Sequence, residues 1–540
     1  MLKINSNKIE KNAVILAAGF GSRLVPLTFE KPKGLLKINE NQSMIERQII
    51  FLKEKNITDI TLVVGFKKEF FYELKEKYKL NIIENKEYNN TNSLYSLFLA
   101  KDKLKNTYIL TSDTWIKNNY FNSDNEFSYL SIVKNISDNS NIFEWKIEWD
   151  VENNINKIKP CYLKKNDFFI TGASYFNEKT SKLFIEEATK ILSDQENKEK
   201  AYWEETLFAL IKKDFIKINN QDQNIYEIDN LQDIYQIDKQ GEILKKNICL
   251  KEICSIFNVK IKDIKNIQTI KKGLTNNSFS FEINDTKYVY RSPGIGTENI
   301  INRQREYKVY QLIKNFPNAE KLFFYNQKTA SKISYFENDH KNVDQYNENE
   351  VFSSFKMIRK FHEHNYLLGN NFDIEEEINK YKKQINKSKY KLDLEKELSE
   401  KVYKIIRYVN NLKIKKVLCH IDFIPDNLLI NDKYEVKLID YEYAGDADPM
   451  IDIAAFATSA FYNQEWLDKT INIYFDNNAH KQEKIRVYAY MALLGYLWWI
   501  WTYAFIDKGN NISYNYLNHM LNNAKYYSNL LEEKYDIFKK

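Results

Sequence analysis

Residues 12–36 read NAVILAAGFGSRLVPLTFEKPKGLL. The apolar run from Asn12 to Leu16 predicts a buried strand, and Ala17, Ala18, Gly19 and Gly21 follow it as a tight, small-residue turn. Glycine there lets backbone N–H groups approach a phosphate chain, and Arg23 and Lys33 carry the positive charge that a triphosphate and a departing pyrophosphate require. Outward from this turn, short apolar runs alternate with helical stretches: SMIERQIIFLKEKN, DITLVVG, EFFYELKEKY and LNIIEN. That alternation predicts a mostly parallel α/β sheet from Lys11 to about Asp238.

The alternation lapses at Lys239–Gly241, and a helical stretch near Leu250–Phe257 suits the start of another domain, so the expected domains are 1–243 and 244–540. From Ile267 the order changes. Strands are expected at SFSFEI, KYVYRS, KLFFYN and SKISYFE, with a helix at NRQREYKVYQLIKN between them and a long helical region after them. Strands first and helices later predict a bilobal α+β unit.

A chain of 540 residues is long enough for several domains or two large ones, and 13 Gly and 7 Pro leave little room for flexible linkers. The 80 Lys+Arg against 74 Asp+Glu give a net charge of +6, which supplies no reason to expect a nucleic-acid partner but suits small phosphate-bearing molecules. Cys161, Cys249, Cys254 and Cys419 show no zinc spacing and read as reduced thiols, and VILAA is too short for a secretory segment, so a cytoplasmic location is expected. Val487–Ile506 is 20 residues without a charge, long enough to cross a bilayer. It stands alone, holds four Tyr, and gathers Trp498, Trp499 and Trp501 towards one end, so a buried, ligand-lining helix is expected rather than stable membrane insertion.

The whole run GxGxRLxPLTxxxPKxLL resembles the signature of the sugar-nucleotidyltransferase superfamily, and within it the bacterial CTP:phosphocholine cytidylyltransferases. The likeness continues through VVGFKKEF, ENKEYNNTNSLYSL, YILTSD, FEWKIEW, AYWEETL and IYEIDNLQD, over roughly residues 12–236. It implies a Rossmann-like nucleotidyltransferase in which Leu16, Ala17, Ala18, Gly19 and Gly21 bind the nucleotide and Arg23 and Lys33 serve catalysis. Mg²⁺ would be held by Asp113, Glu227 and Asp229, since a hard cation takes carboxylate oxygens. Any one of these acids alone reads as a solvated strand end; three at matching positions do not. A quaternary ammonium donates no hydrogen bond and is recognised by aromatic faces and carboxylates, for which Trp145, Trp149, Tyr202 and Trp203, with Glu144 and Glu204, are the candidates. Each ring singly reads as core, so only some of the four are expected in the cage.

Residues 417–449, VLCHIDFIPDNLLINDKYEVKLIDYEYAGDADP, hold HxDxxxxN followed by an apolar strand ending in Asp. Phosphoryl transfer needs a carboxylate to orient the acceptor hydroxyl and oxygen ligands for the metal on the nucleotide, which makes Asp422 the expected base and Asn427, Asp440 and Glu442 the expected ligands. His420 is expected to brace the loop. This resembles the choline kinase and aminoglycoside phosphotransferase group of the protein-kinase-like fold, from about Ile267 onward. The resemblance implies that Gly273, Asn276 and Ser278 lie on the nucleotide loop, that Arg291 stands where protein kinases use lysine, and that Glu306 is its ion-pair partner. Trp498 and Trp501, three apart on one helical face, and Tyr443 match the choline cage of that group.

Choline, ATP, phosphocholine and CTP are the substrates so implied, and the product of the second half would be a substrate of the first. The alternatives are a sugar-1-phosphate nucleotidyltransferase fused to an ethanolamine, sugar or aminoglycoside kinase, and a non-catalytic scaffold. The aromatic positions speak against the former, and the presence of Asp113, Asp422, Asn427 and Asp440 against the latter.

Overall fold

The computed structural model describes residues 10–38, 42–136, 142–270, 276–294, 297, 301–385, 396–507, 513–535 and 537. The chain divides into two compact units, Met1–Thr269 and Ile270–Lys540.

The first unit contains β1 (Asn12–Ala17), β2 (Asp59–Val64), β3 (Asn81–Glu84), β4 (Thr107–Thr111), β5 (Thr114–Ile116), β6 (Tyr129–Lys134), β7 (Phe143–Trp149), β8 (Ile155–Tyr162), β9 (Phe168–Phe176), β10 (Lys217–Asn220), β11 (Ile225–Glu227) and β12 (Lys265–Thr269). Its main sheet runs in the order β10-β6-β9-β4-β1-β2-β3. Pairing is parallel among β4, β1, β2 and β3 and between β6 and β10. The antiparallel β9 joins the two groups and carries the β7–β8 hairpin.

Along β1, Ala13, Ile15 and Ala17 enter one apolar cluster, while Val14 and Leu16 enter another. The strand is therefore buried on both faces, which is why its sequence reads as a continuous apolar run instead of alternating. Leu16 lies beside Thr111, so the carboxyl ends of β1 and β4 open side by side, the place where parallel sheets bind ligands.

The boundary expected at 243/244 falls inside the first unit. Within it Asn247 Nδ2 donates to Glu30 Oε1 at 3.4 Å, and Thr269 Oγ1 donates to the Ser22 carbonyl.

The second unit begins with an antiparallel sheet of β13 (Asn276–Ile283), β14 (Thr286–Pro293), β15 (Leu322–Tyr325) and β16 (Lys332–Tyr335), in the order β13-β14-β16-β15. Asn284 and Asp285 both have positive φ in the β13–β14 turn, the tight geometry that a two-residue hairpin favours. The helix Arg303–Leu312 interrupts the sheet between β14 and β15.

Then come β17 (Lys341–Asn342), helices Glu348–Glu363, Ile374–Lys382 and Lys396–Asn411, and the short strands β18 (Val417–Cys419), β19 (Leu428–Ile430), β20 (Val436–Leu438) and β21 (Gly445–Ala447). Helices Met450–Ser459, Gln464–Tyr474, Lys481–Asp507 and Tyr514–Tyr535 complete the unit. Lys481–Asp507 packs against Tyr514–Tyr535, Met450–Ser459 and Ile374–Lys382. It is long and apolar enough to cross a bilayer, yet 89% of its most apolar window is buried inside the unit. A helix apolar on all sides needs partners on all sides, and here other helices supply them.

Candidate functional site

In the first unit the turn after β1 carries Gly21 at φ +69°, and a Cβ there would stand 3.0 Å from Lys33 Cβ and 3.1 Å from Thr28 Cγ2. Only glycine combines that conformation with that approach. Lys33 Nζ lies 2.9 Å from Asp113 Oδ2 and 2.8 Å from Asp229 Oδ1, and Arg23 Nη2 lies 3.0 Å from the same Asp229 oxygen. Burial disfavours the Lys33 charge, but the two aspartates outweigh it and hold the ammonium above the ordinary lysine range.

Thr111 at the end of β4 donates to Asp113 Oδ1, and β11 pairs with β5 so that Glu227 stands opposite Thr114. Glu227 Oε1 accepts the Gly172 N–H at 2.6 Å. A Cβ on Gly172 would fall 1.8 Å from Thr111 Oγ1, so this glycine is what lets β9 press against the Asp113 support.

Carboxylate oxygens of Glu144, Glu227 and Asp229 lie within 4.8 Å of one another. Burial first, and then Asp229, pushes Glu144 up to about 7; burial and the neighbouring acids push Glu227 well above the carboxylate range. Hard oxygen donors that repel one another, with a lysine ammonium between Asp113 and Asp229, fit a divalent cation. These groups border a cleft of about 1200 Å³ lined by Arg23, Lys134, Glu144, Glu227, Asp229 and Gln268.

The expected aromatic wall is only partly here. Strand alternation sends Trp145 and Trp149 to the face of β7 opposite Glu144, where Trp145 packs on Phe208 at 5.7 Å and Trp149 on Phe168 at 5.2 Å between ring centroids. Trp203 has no accessible surface and lies against Phe176, which leaves it no face for a ligand. Tyr202 is half exposed. Glu204 Oε2 is buried without a hydrogen-bond partner among the described residues, and burial, then Glu144 and Asp113, pushes this carboxyl up to about 8.

In the second unit Asn427 Nδ2 donates to Asp422 Oδ2 at 2.7 Å and to the Asp422 carbonyl at 2.9 Å. Burial, followed by Asp440 and Glu442, pushes the Asp422 carboxyl up to about 8. His420 Nε2 bonds the Ile439 carbonyl at 3.0 Å, which ties the loop to the residue before Asp440. Asp452 supports the same loop from below: its two carboxylate oxygens accept the N–H groups of His420 at 2.9 Å and Ile421 at 2.7 Å. His362, itself bonded to Tyr474, holds Asp452 at 2.9 Å. Ile421 sits at φ +69°, a strained conformation for a β-branched residue.

Arg291 Nη1 reaches Asp440 Oδ1 at 2.6 Å, not Glu306. Glu306 is taken instead by Arg303 at 3.0 Å and Lys332 at 3.2 Å. The expected Arg291–Glu306 pair fails because Lys332, directly across the sheet from Arg291, fills the space between the sheet and the helix Arg303–Leu312. Arg303 also bonds Glu442 at 3.1 Å and Asn276 Oδ1 at 3.0 Å, and Asn276 Nδ2 donates to Glu442 at 2.9 Å. Ser278 is buried opposite Arg291; Gly273 lies outside the described residues. Of the expected ligands, Asn427 bonds Asp422, and Asp440 and Glu442 are held by Arg291 and Arg303; their oxygen atoms are of the kind a divalent cation takes. Arg303, Lys332, Glu320 and Asp452 were missed in the sequence because nothing in their local spacing marks them.

Tyr443 meets Trp498 edge to face at 5.4 Å and 85°, and Trp498 meets Trp501 at 5.9 Å and 90°. Phe505 stacks on Trp501 at 4.1 Å, and all three walls are nearly buried. Tyr443 is within electrostatic reach of Tyr381, Glu442 and Asp422, which sets this corner beside the expected base.

The sequence matches the nucleotidyl transferase family over residues 12–128 and the choline/ethanolamine kinase family over residues 267–493. The choline-phosphate cytidylyltransferase of Streptococcus pneumoniae is 34% identical over 235 residues, 43% of this chain and 98% of that protein. The choline-phosphate cytidylyltransferase of Haemophilus influenzae is 31% identical over 231 residues, 42% of this chain and 95% of that protein. Protein LicA of Haemophilus influenzae is 26% identical over 251 residues, 44% of this chain and 92% of its own length.

Proposed function

We propose that this chain, which belongs to the choline-phosphate cytidylyltransferase family through its first unit and carries a choline/ethanolamine kinase domain in its second, phosphorylates choline with ATP and couples the phosphocholine to CTP. The observation that supports the reading is the corner of Tyr443, Trp498 and Trp501, whose perpendicular rings would give π faces to a cation that cannot hydrogen-bond. Ethanolamine keeps three ammonium donors and gains less from such walls.

In the second unit the choline hydroxyl attacks the γ-phosphorus of ATP, its proton passes to Asp422, and ADP leaves. Arg291 meets the nucleotide phosphates, while Asn427, Asp440 and Glu442 would hold the metal. In the first unit a phosphate oxygen of phosphocholine attacks the α-phosphorus of CTP, the α–β bond breaks, and pyrophosphate leaves against Lys33 and Arg23. Asp113, Glu227 and Asp229 would hold the metal there, with Glu144 clustered beside the last two, and Glu204 and Tyr202 would face the ammonium. Both families use a divalent metal; we take it to be Mg²⁺, which neutralises phosphate charge when bound. ATP and CTP as substrates, with four cysteines that form no disulfide among the described residues, suit a cytoplasmic enzyme.

The test is incubation of the purified chain with choline, ATP, CTP and Mg²⁺, followed by mass spectrometry. CDP-choline, ADP and pyrophosphate are expected. Turnover of ethanolamine, a sugar or an aminoglycoside in preference to choline would overturn the kinase half of the reading, and failure to convert supplied phosphocholine and CTP would overturn the other half.

A further inference from the structure

Two cations stand where one basic residue was expected. Arg291 and Lys332 are direct cross-strand partners on β14 and β16, so their side chains leave the same face of the sheet. Their surroundings differ. Lys332 is 2% exposed, and its ammonium lies 3.2 Å from Glu306, 3.3 Å from Glu320 and 3.9 Å from Asp440, with the Tyr310 hydroxyl in contact as well. An ammonium has three protons, and Glu306, Glu320 and Tyr310 take them all. No donor of Lys332 remains for a ligand. The Arg291 side chain is 15% exposed, has five donors in a planar fork, and is anchored at Asp440 through Nη1, with its Nε buried.

We propose that the two cations have separate roles, Arg291 being the phosphate ligand and Lys332 a positioning residue that fixes Asp440 against the helix Arg303–Leu312. The division rests on the reading of this unit as a kinase. Lys332 reaches Asp440 by two routes. One is its own approach to the carboxylate. The other runs through Glu320, whose Oε2 accepts the Asp440 N–H at 3.4 Å and so helps to hold that residue at φ +69°. Glu306 couples the same ammonium to the helix, and Arg303 continues the chain from Glu306 to Glu442. Lys332 therefore sets where the expected metal ligands stand without touching substrate. The fork of Arg291 suits bidentate contact with phosphate oxygens, whereas a sealed lysine suits a point charge shared among three acids.

The experiment compares Lys332→Met, the charge-balanced Lys332→Met/Glu320→Gln, Lys332→Arg and Arg291→Met in the full chain. For choline phosphorylation it measures kcat, the ATP KM and the Mg²⁺ concentration giving half-maximal rate. Cytidylyltransferase activity in the same molecules and tryptophan fluorescence report folding. Each folded Lys332 variant is expected to lose at least about tenfold in kcat and to need several-fold more Mg²⁺, with the ATP KM changed by less than about threefold; Arg291→Met is expected to raise the ATP KM by about tenfold or more.

Lys332→Arg keeps the charge and decides the matter if the methionine variants do not fold. A folded Lys332 variant with wild-type kcat and Mg²⁺ dependence overturns the proposal. So does full recovery in the charge-balanced double variant, which would make Lys332 a charge balance only. Absence of choline phosphorylation by the wild-type chain would instead sink the kinase reading, which separates the two failures.

Discussion

Glu204 shows how much one buried atom can decide. Its carboxyl is pushed up to about 8 by burial and by Glu144 and Asp113, so near neutral pH it is largely protonated. A bound quaternary ammonium favours the charged form, so binding draws a proton off, and affinity rises with pH until the free group is already ionised. The phosphocholine KM is therefore expected to fall by up to about tenfold per pH unit between roughly pH 6.5 and 8, then level. Titration of the substrate phosphate is common to wild type and Glu204→Gln, so the difference between their profiles isolates this residue; an unchanged slope in Glu204→Gln would remove it from the site. Gly172 makes the opposite point, that a missing atom can matter as much. In Gly172→Ala the new Cβ falls 1.8 Å from the hydroxyl that holds Asp113, so β9 must shift. About 1–3 kcal/mol of stability should be lost, as for other overpacked cores, and cytidylyltransferase rate with it; a thermal melt and rate equal to wild type would show that the strand yields freely. Neither effect is legible in the sequence. AYWEETL marks the place of Glu204 but not which of its side chains face inward, and both Trp203 Nε1 and Glu204 Oε2 are buried without a hydrogen-bond partner among the described residues.

The loop from His420 to Asn427 owes its shape to a helix residue outside it. Holding Ile421 at φ +69° costs on the order of 1–3 kcal/mol, and Asp452 offsets this by accepting two backbone N–H groups. Asparagine has one acceptor oxygen in that position, so Asp452→Asn leaves one buried N–H unpaired. We expect kcat for choline phosphorylation to fall by about tenfold or more, with roughly 1–3 kcal/mol less stability in this unit, read by kinetics and by hydrogen exchange of the loop amides. Unchanged exchange and kcat would mean that the loop holds itself. The helix Lys481–Asp507 carries the companion test. Trp501→Ala should raise the choline KM about thirtyfold, the worth of about 2 kcal/mol of desolvated cation–π contact, and the ethanolamine KM less. A choline KM equal to wild type in the folded variant returns Trp501 to the core. The length and apolarity of this helix are plain in the sequence, and the strands and helices around it were largely legible too. Its surroundings were not, because a bilayer span and a helix wrapped by other helices carry the same composition; only the three-residue spacing of Trp498 and Trp501 hinted at a cage.

For the molecule as a whole, what the sequence lacked was long-range pairing. The HxDxxxxN spacing and the glycine turn were readable because each is a local run. The meetings of Asn247 with Glu30 and of Thr269 with Ser22 were not, being contacts more than two hundred residues apart in sequence. The partner of Glu306 escaped for the same reason, since Lys332 reaches it from a later strand. Two units, each with its own acids and its own aromatic or carboxylate recognition, imply that the two chemistries can be disabled separately. Asp113→Ala removes a first-unit carboxylate that the Lys33 ammonium and the Thr111 hydroxyl hold in place. Given choline, ATP and CTP, this variant should convert choline to phosphocholine at the wild-type rate and then stop. Asp422→Asn should do the reverse, leaving choline untouched yet making CDP-choline from supplied phosphocholine, because the base acts only on the choline hydroxyl. Mixed together, the two variants should restore CDP-choline through phosphocholine released into solution, with a lag that shortens as the Asp422-intact protein is increased. Mass spectrometry of the time course reads all three species. Loss of both activities in either folded variant would refute two independent sites, and a mixture that accumulates phosphocholine without forming CDP-choline would show that the first unit does not accept it from solution.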